Sequence, residues 1–142
     1  MFFFTKELWK GINGISSVYD AEIAEYKFHE NIKKYNKYFS AEIVRVLTSE
    51  TVEIYKKYDG FHDMEIEKLQ YEQDKFTIYG KKVQITFDGV KELSGNFNNC
   101  IDTFGYMEIL YRKGTDDLEI GVLFSWEDSI YIICSDVIAR ER

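Results

Sequence analysis

A chain of 142 residues with 45% hydrophobic and 30% charged residues is long enough for one domain with a real core and too apolar for disorder. No apolar run approaches the ~18–20 residues that cross a bilayer. The opening Met1-Phe2-Phe3-Phe4 is too short for a signal-peptide core and meets Lys6-Glu7 at once, so a cytoplasmic protein is the default reading.

In chain order, Thr5 is placed to cap a first helix, with Phe4 and Trp9 as a hydrophobic staple, and Gly11 and Gly14 limit that helix to a few turns. Ser17, with Asp20 three positions on, reads as the capping box of the longest helix. Its apolar residues Ala21, Ala24, Phe28, Ile32, Tyr35 and Phe39 are spaced by three or four and form one stripe, while Lys33, Lys34 and Lys37 lie mostly off it. The spacing predicts that the stripe is core. Ser40 or Thr48 caps the next segment, in which Ile43 to Tyr58 fit one broken helix or two short ones, stopped by Gly60.

The segment Tyr58-Asp59-Gly60-Phe61-His62-Asp63 divides the chain. After it the periodicity changes from helical to alternating. Val83, Ile85 and Phe87 alternate with Gln84 and Thr86; Met107, Ile109 and Tyr111 with Tyr106, Glu108 and Leu110; Leu118, Ile120, Val122 and Phe124 with Glu119, Gly121 and Leu123. Weaker strand segments are Met64–Tyr71, Phe76–Tyr79 and Ile130–Cys134. Turn signals, among them Gln73-Asp74, Asp88-Gly89, Ser94-Gly95-Asn96 and Lys113-Gly114-Thr115-Asp116, separate them. Short connections make the strands antiparallel. The expectation is a single α+β domain over 1–142, with helices in 1–60 packed on an antiparallel β-meander of about six strands in 61–142. The chain has no proline, so its strand edges must be protected by charge, by short length or by the helices.

The net charge of −7 is uneven. Residues 1–61 carry nine basic and nine acidic side chains, residues 62–142 nine and sixteen. An acidic β region disfavours nucleic acid and anionic membranes and would steer a basic partner, or simply confer solubility. The aromatic content of 17% could suit base stacking, but such sheets pair aromatics with basic residues.

Chemistry-bearing motifs are sparse. Cys100 and Cys134 lack CxxC spacing and read as free thiols, Cys134 within the apolar run Ile130–Ile133. His29 can pair with Glu25 on the helix surface. No His-rich or Cys-rich spacing suggests a metal, and no Gly-rich phosphate loop or nucleophile elbow suggests a cofactor. Asp116, Asp117 and Glu119 fit a loosely held cation and a solvated hairpin tip equally well. The pair His62-Asp63 alone has a catalytic flavour. On an extended strand, however, neighbouring side chains point to opposite faces, which favours a structural role for both.

Phe4-Thr5-Lys6-Glu7-Leu8-Trp9 resembles the opening of an uncharacterised family of small bacterial cytosolic proteins, a domain of unknown function. The likeness continues at Phe61–Ile66, at Phe87–Leu93, at Tyr106–Ile109 and at Ile130–Ile138. A His-Asp pair opening a meander also resembles some immunity proteins of bacterial toxin systems. The first resemblance implies no activity, because that family is a domain of unknown function.

The resulting expectation is a non-enzymatic, protein-binding domain, of inhibitor or immunity type. Glu65, Glu67, Glu108, Asp116, Asp117 and Glu119 would steer a basic protein partner, with Tyr106 and Trp126 as anchors. The alternative is a small hydrolase or ligand-binding protein with His62 and Asp63 in its site, and a homodimer through an exposed sheet edge is a third possibility. No cofactor is expected.

Overall fold

The computed structural model describes residues 3, 5–14, 20–95, 103–124 and 128–142, without the side chains of residues 6 and 9. Ser17, Phe4, Cys100, Trp126 and the side chain of Trp9 lie outside the described residues.

Three helices come first. α1 spans Lys6–Ile12, with Thr5 Oγ1 accepting the Leu8 N–H at 3.2 Å. α2 spans Ala21–Tyr38, and Asp20, rather than Ser17, is its N-cap, its carboxylate accepting the Ile23 N–H at 2.8 Å. Its last turns widen into a π-turn over Phe39–Ile43. Thr48 caps α3, Ser49–Lys57, through the Thr51 N–H at 3.2 Å. Tyr58 ends α3, and Gly60 turns the chain at φ 63°, as a helix stop requires.

Eight antiparallel strands follow: β1 Ile66–Glu72, β2 Lys75–Gly80, β3 Val83–Asp88, β4 Glu92–Gly95, β5 Phe104–Tyr111, β6 Leu118–Phe124, β7 Ser129–Cys134 and β8 Asp136–Glu141. They form two four-stranded sheets, ordered β1-β2-β3-β8 and β4-β7-β6-β5. The expected six strands become eight because two long strands each cross between the sheets. β3 runs on into β4 and β7 into β8, so that Asp88 faces Asp136 in one sheet and Glu92 faces Ile133 in the next. At the crossing Gly89 has φ 65°, and a Cβ there would lie 2.5 Å from Ser135 Oγ, so both backbone and space demand glycine. Backbone bonds from Lys91 to Ile133 (2.8 Å) and from Ser135 to Asp88 (2.9 Å) carry the ladder through the bend.

Period-two alternation places the core. In the first sheet Ile78, Ile85 and Ala139 form one buried cross-strand row and Phe76, Phe87 and Val137 another; in the second sheet Ile109, Ile120 and Ile132 do the same. The sheets also touch where β1 begins: the Asp63 N–H donates to the Phe104 carbonyl and the Phe104 N–H to the Met64 carbonyl, both at 2.8 Å.

Four strands are terminal in the two sheets, β1, β4, β5 and β8, and helix hydroxyl groups occupy two of them, β5 and β8. The Ile109 N–H donates to Tyr35 Oη at 2.9 Å and the Tyr111 N–H to Tyr38 Oη at 2.7 Å, both from β5 to α2. The Ala139 N–H of β8 donates to Thr51 Oγ1 of α3 at 3.2 Å. An unpaired buried N–H costs about 1–3 kcal/mol, so each hydroxyl both satisfies the ladder and blocks a further strand from adding. At these two edges the helices supply the protection that proline does not. Edge-to-edge dimerisation through β5 or β8 would have to displace them.

Candidate functional site

The junction that divides the sequence also borders two clefts in the surface. Between Tyr58 and Met64 the backbone takes left-handed values at Asp59 (φ 51°), Gly60, Phe61 (φ 67°) and Asp63 (φ 62°). Aspartate tolerates this region; a phenylalanine there is a true outlier, at a cost on the order of 1–3 kcal/mol. The neighbouring structure holds it in place. Phe61 is buried, edge-on to Tyr55 (5.6 Å between ring centres) and to Phe104 (6.1 Å).

This turn corrects the expected geometry of His62 and Asp63. β1 begins at Ile66, so the pair sits in a turn and not on a strand. With Asp63 left-handed, the two side chains meet, His62 Nδ1 lying 3.1 Å from Asp63 Oδ2. The imidazole also packs on Tyr106 of β5, ring centres 4.7 Å apart, and Tyr106 packs on Phe28 of α2 at 5.0 Å.

These three rings border a cleft of about 440 Å³ between α2, the end of α3 and β5. Ile32 and Phe39 extend its apolar wall, and the rings of Tyr35 and Tyr55 line it further in. Asn36, Ser40, Lys56 and Asp59 contribute polar groups. Tyr55 Oη donates to Tyr35 Oη at 3.2 Å, and Tyr35 in turn accepts from β5. Burial pushes the Tyr35 phenol well above its ordinary range and the Tyr55 phenol up to about 12, so both stay protonated at neutral pH and act as hydrogen-bonding groups. The Tyr106 phenol is raised too, by burial first and then by the negative charges of Asp63 and Asp59. His62 also borders a second cleft of about 340 Å³, on the side of Lys81 and Lys82.

The acidic residues picked out in the sequence do not assemble into one face. Glu108 is 1% exposed, its carboxylate accepting the Phe3 N–H, with the Phe3 carbonyl held by Asn31 at 2.8 Å. Asp117 is buried and paired with Lys91, at 2.8 and 3.0 Å. Glu119 is half-buried and accepts the Tyr131 hydroxyl. Glu65 and Glu67 are exposed, near Lys81 (3.8 Å) and Arg142 (3.2 Å), and Asp116 is exposed at a hairpin tip. Alternation along β5 and β6 does not show that the outward face of β5 is itself covered, here by the segment around Phe3.

Among the described residues no group of three or more His, Cys, Asp or Glu side chains is placed to hold a metal ion, and no helix is long and apolar enough to cross a membrane. Cys134 is a free, buried thiol, pushed up to about 12 chiefly by burial, which makes it inert. His29 stands 3.8 Å from Glu25 on the exposed side of α2.

Nothing in the sequence marks Phe28, Ile32, Lys56 and Asp59 as cleft residues, and helical spacing assigns the first two to the core. A partial signal is present. Tyr35, Tyr38 and Tyr55 lie on apolar faces of helices, and a hydroxyl on such a face needs a partner. Compared with protein-family models, with curated proteins and with solved structures, the chain matches none.

Proposed function

We propose that this protein is a small-molecule-binding domain whose site is the cleft between α2 and β5, with His62 in its wall. The observation that carries this reading is the combination in one concavity of about 440 Å³: aromatic walls from three separate elements and a few convergent polar groups, the composition of ligand sites in general. The strained turn supports it, because left-handed non-glycine residues cost free energy and cluster where a geometry is used. Binding is favoured over hydrolysis by the placement of Ser40. It shares the cleft with His62, yet His62 Nδ1 lies 3.1 Å from Asp63 Oδ2 and no hydroxyl donates to the imidazole among the described hydrogen bonds.

The acidic protein-docking reading has less support. It needs a contiguous surface of charge, and two of its six acids are buried and a third is half-buried and hydrogen-bonded.

Equilibrium dialysis of the purified protein against a cell extract of small molecules, followed by mass spectrometry, tests the proposal. The control is Asn36→Trp, which fills the cleft from an exposed position on α2. The wild type is expected to retain one or a few compounds that the variant does not. Identical retention by both would contradict a site in this cleft.

A further inference from the structure

We propose that the ligand of this cleft is an organic cation, a small molecule whose ammonium or alkylated ammonium group sits against the rings of Phe28, His62 and Tyr106 and faces the carboxylate of Asp59. This rests on the reading of the cleft as a ligand site and adds the charge of its occupant.

The face of an aromatic ring is electronegative, and a cation within about 6 Å of a ring centre is attracted by about 0.5–2 kcal/mol, more where water is excluded. Phe28 from α2, His62 from the turn and Tyr106 from β5 converge on one place, with ring centres 5.0 Å apart for Phe28 and Tyr106 and 4.7 Å for Tyr106 and His62. The three rings pack on one another and so form one aromatic wall, drawn from three elements, against which a cation can lie.

The charges around the rings agree. The turn that delivers His62 also delivers two carboxylates, Asp59 lining the cleft and Asp63 against the imidazole. Both bear on Tyr106, raising its phenol beyond what burial alone does. The lysine that lines the cleft, Lys56, is exposed at the end of α3, where its flexible stem can carry the ammonium into solvent. An anion would meet the Asp59 carboxylate at this mouth. A neutral ligand would gain nothing from that charge.

The test uses two amines with their uncharged counterparts, choline with 3,3-dimethylbutan-1-ol and phenethylamine with 2-phenylethanol. Each is titrated into the full chain while the aromatic resonances are followed by NMR. At least one amine is expected to shift Phe28, His62 and Tyr106 together and to bind about tenfold or more tighter than its neutral counterpart. Tyr106→Ala and Asp59→Asn should each weaken that amine about 5- to 30-fold, the factor that ~1–2 kcal/mol represents at ~1.4 kcal/mol per decade. Asparagine tolerates the left-handed backbone of position 59, so the second variant keeps the turn. Lys56→Gln should strengthen amine binding. Equal binding of amine and neutral counterpart overturns the charge assignment and leaves the cleft as a site for an uncharged ligand. Silence of both amines at these resonances overturns the cation outright, and the dialysis comparison then decides separately whether the cleft binds anything.

Discussion

The two halves of the α2 stripe have the same spacing and different fates. Toward the C-terminal end Tyr35 and Phe39 are 2% and 4% exposed, and the Tyr35 hydroxyl is built into the edge of β5. One and two turns earlier, Ile32 and Phe28 are half-buried and border an open cleft. Periodicity identifies which side of a helix faces the protein. It does not report whether the facing surface is complementary or hollow, because that depends on what the strands present opposite. Opposite Tyr35 stands the backbone of Ile109; beside Phe28 stand Tyr106 and His62, which leave a gap.

The largest effect is expected at the sealed end. Tyr35→Phe leaves the buried Ile109 N–H without its acceptor and the Tyr55 hydroxyl without its partner, so urea unfolding should show a loss of about 1–3 kcal/mol at an unchanged denaturant slope. A loss well below that would mean that the β5 edge is satisfied otherwise. The same end sets the alkaline limit. Unfolded tyrosine ionises near 10, whereas burial holds Tyr55 up to about 12. Between those values the unfolded chain releases protons that the folded chain keeps, so this contribution to stability is complete below pH 10 and falls as pH rises through about 12. Urea midpoints measured from about pH 8 to 11.5 should fall more steeply for the wild type than for Tyr55→Phe; parallel curves would contradict the assignment.

Thr51→Val sharpens the comparison at the other edge. It should cost about 1 kcal/mol, since one shared hydroxyl bonds Ala139 of β8 and Thr48 of the α3 cap. At the open end, Phe28→Ala removes a half-exposed ring and should cost no more than about 1 kcal/mol while reducing retention of the bound compound. A stability loss exceeding that of Tyr35→Phe would mean that Phe28 is core after all. The smallest effect belongs to Lys57→Ala. The Lys57–Glu141 pair raises the lysine and lowers the carboxyl, but both side chains are solvated, and the urea midpoint should not move.

Much of the architecture was legible in the sequence for physical reasons. The α+β class, the order of helices before strands and the stop at Gly60 follow from periodicity and from one residue's backbone freedom. Two strands escaped. β4, Glu92–Gly95, has no buried residue and therefore no hydrophobic pattern. β8 does alternate, with Val137 and Ala139 buried, but it follows β7 with a single residue between and reads as its continuation. Glu108 shows a different limit. A charged residue between apolar neighbours reads as the wet face of a strand, and nothing nearby in sequence announces that Phe3, from the other end of the chain, covers it. The His62–Asp63 contact is hidden because the alternating pattern suggests a strand start two to four residues early, and that short offset reverses the relation of adjacent side chains.

The central claim, that one helix face both seals the core and walls a binding site, is tested most directly by aromatic NMR of the wild type titrated with the compound that dialysis retains. Phe28, His62 and Tyr106 should shift with a common dissociation constant while Phe76 and Phe87, core rings outside the cleft, hold nearly still. Shifts concentrated on the acidic strands, or none at the three rings at saturating compound, would contradict it.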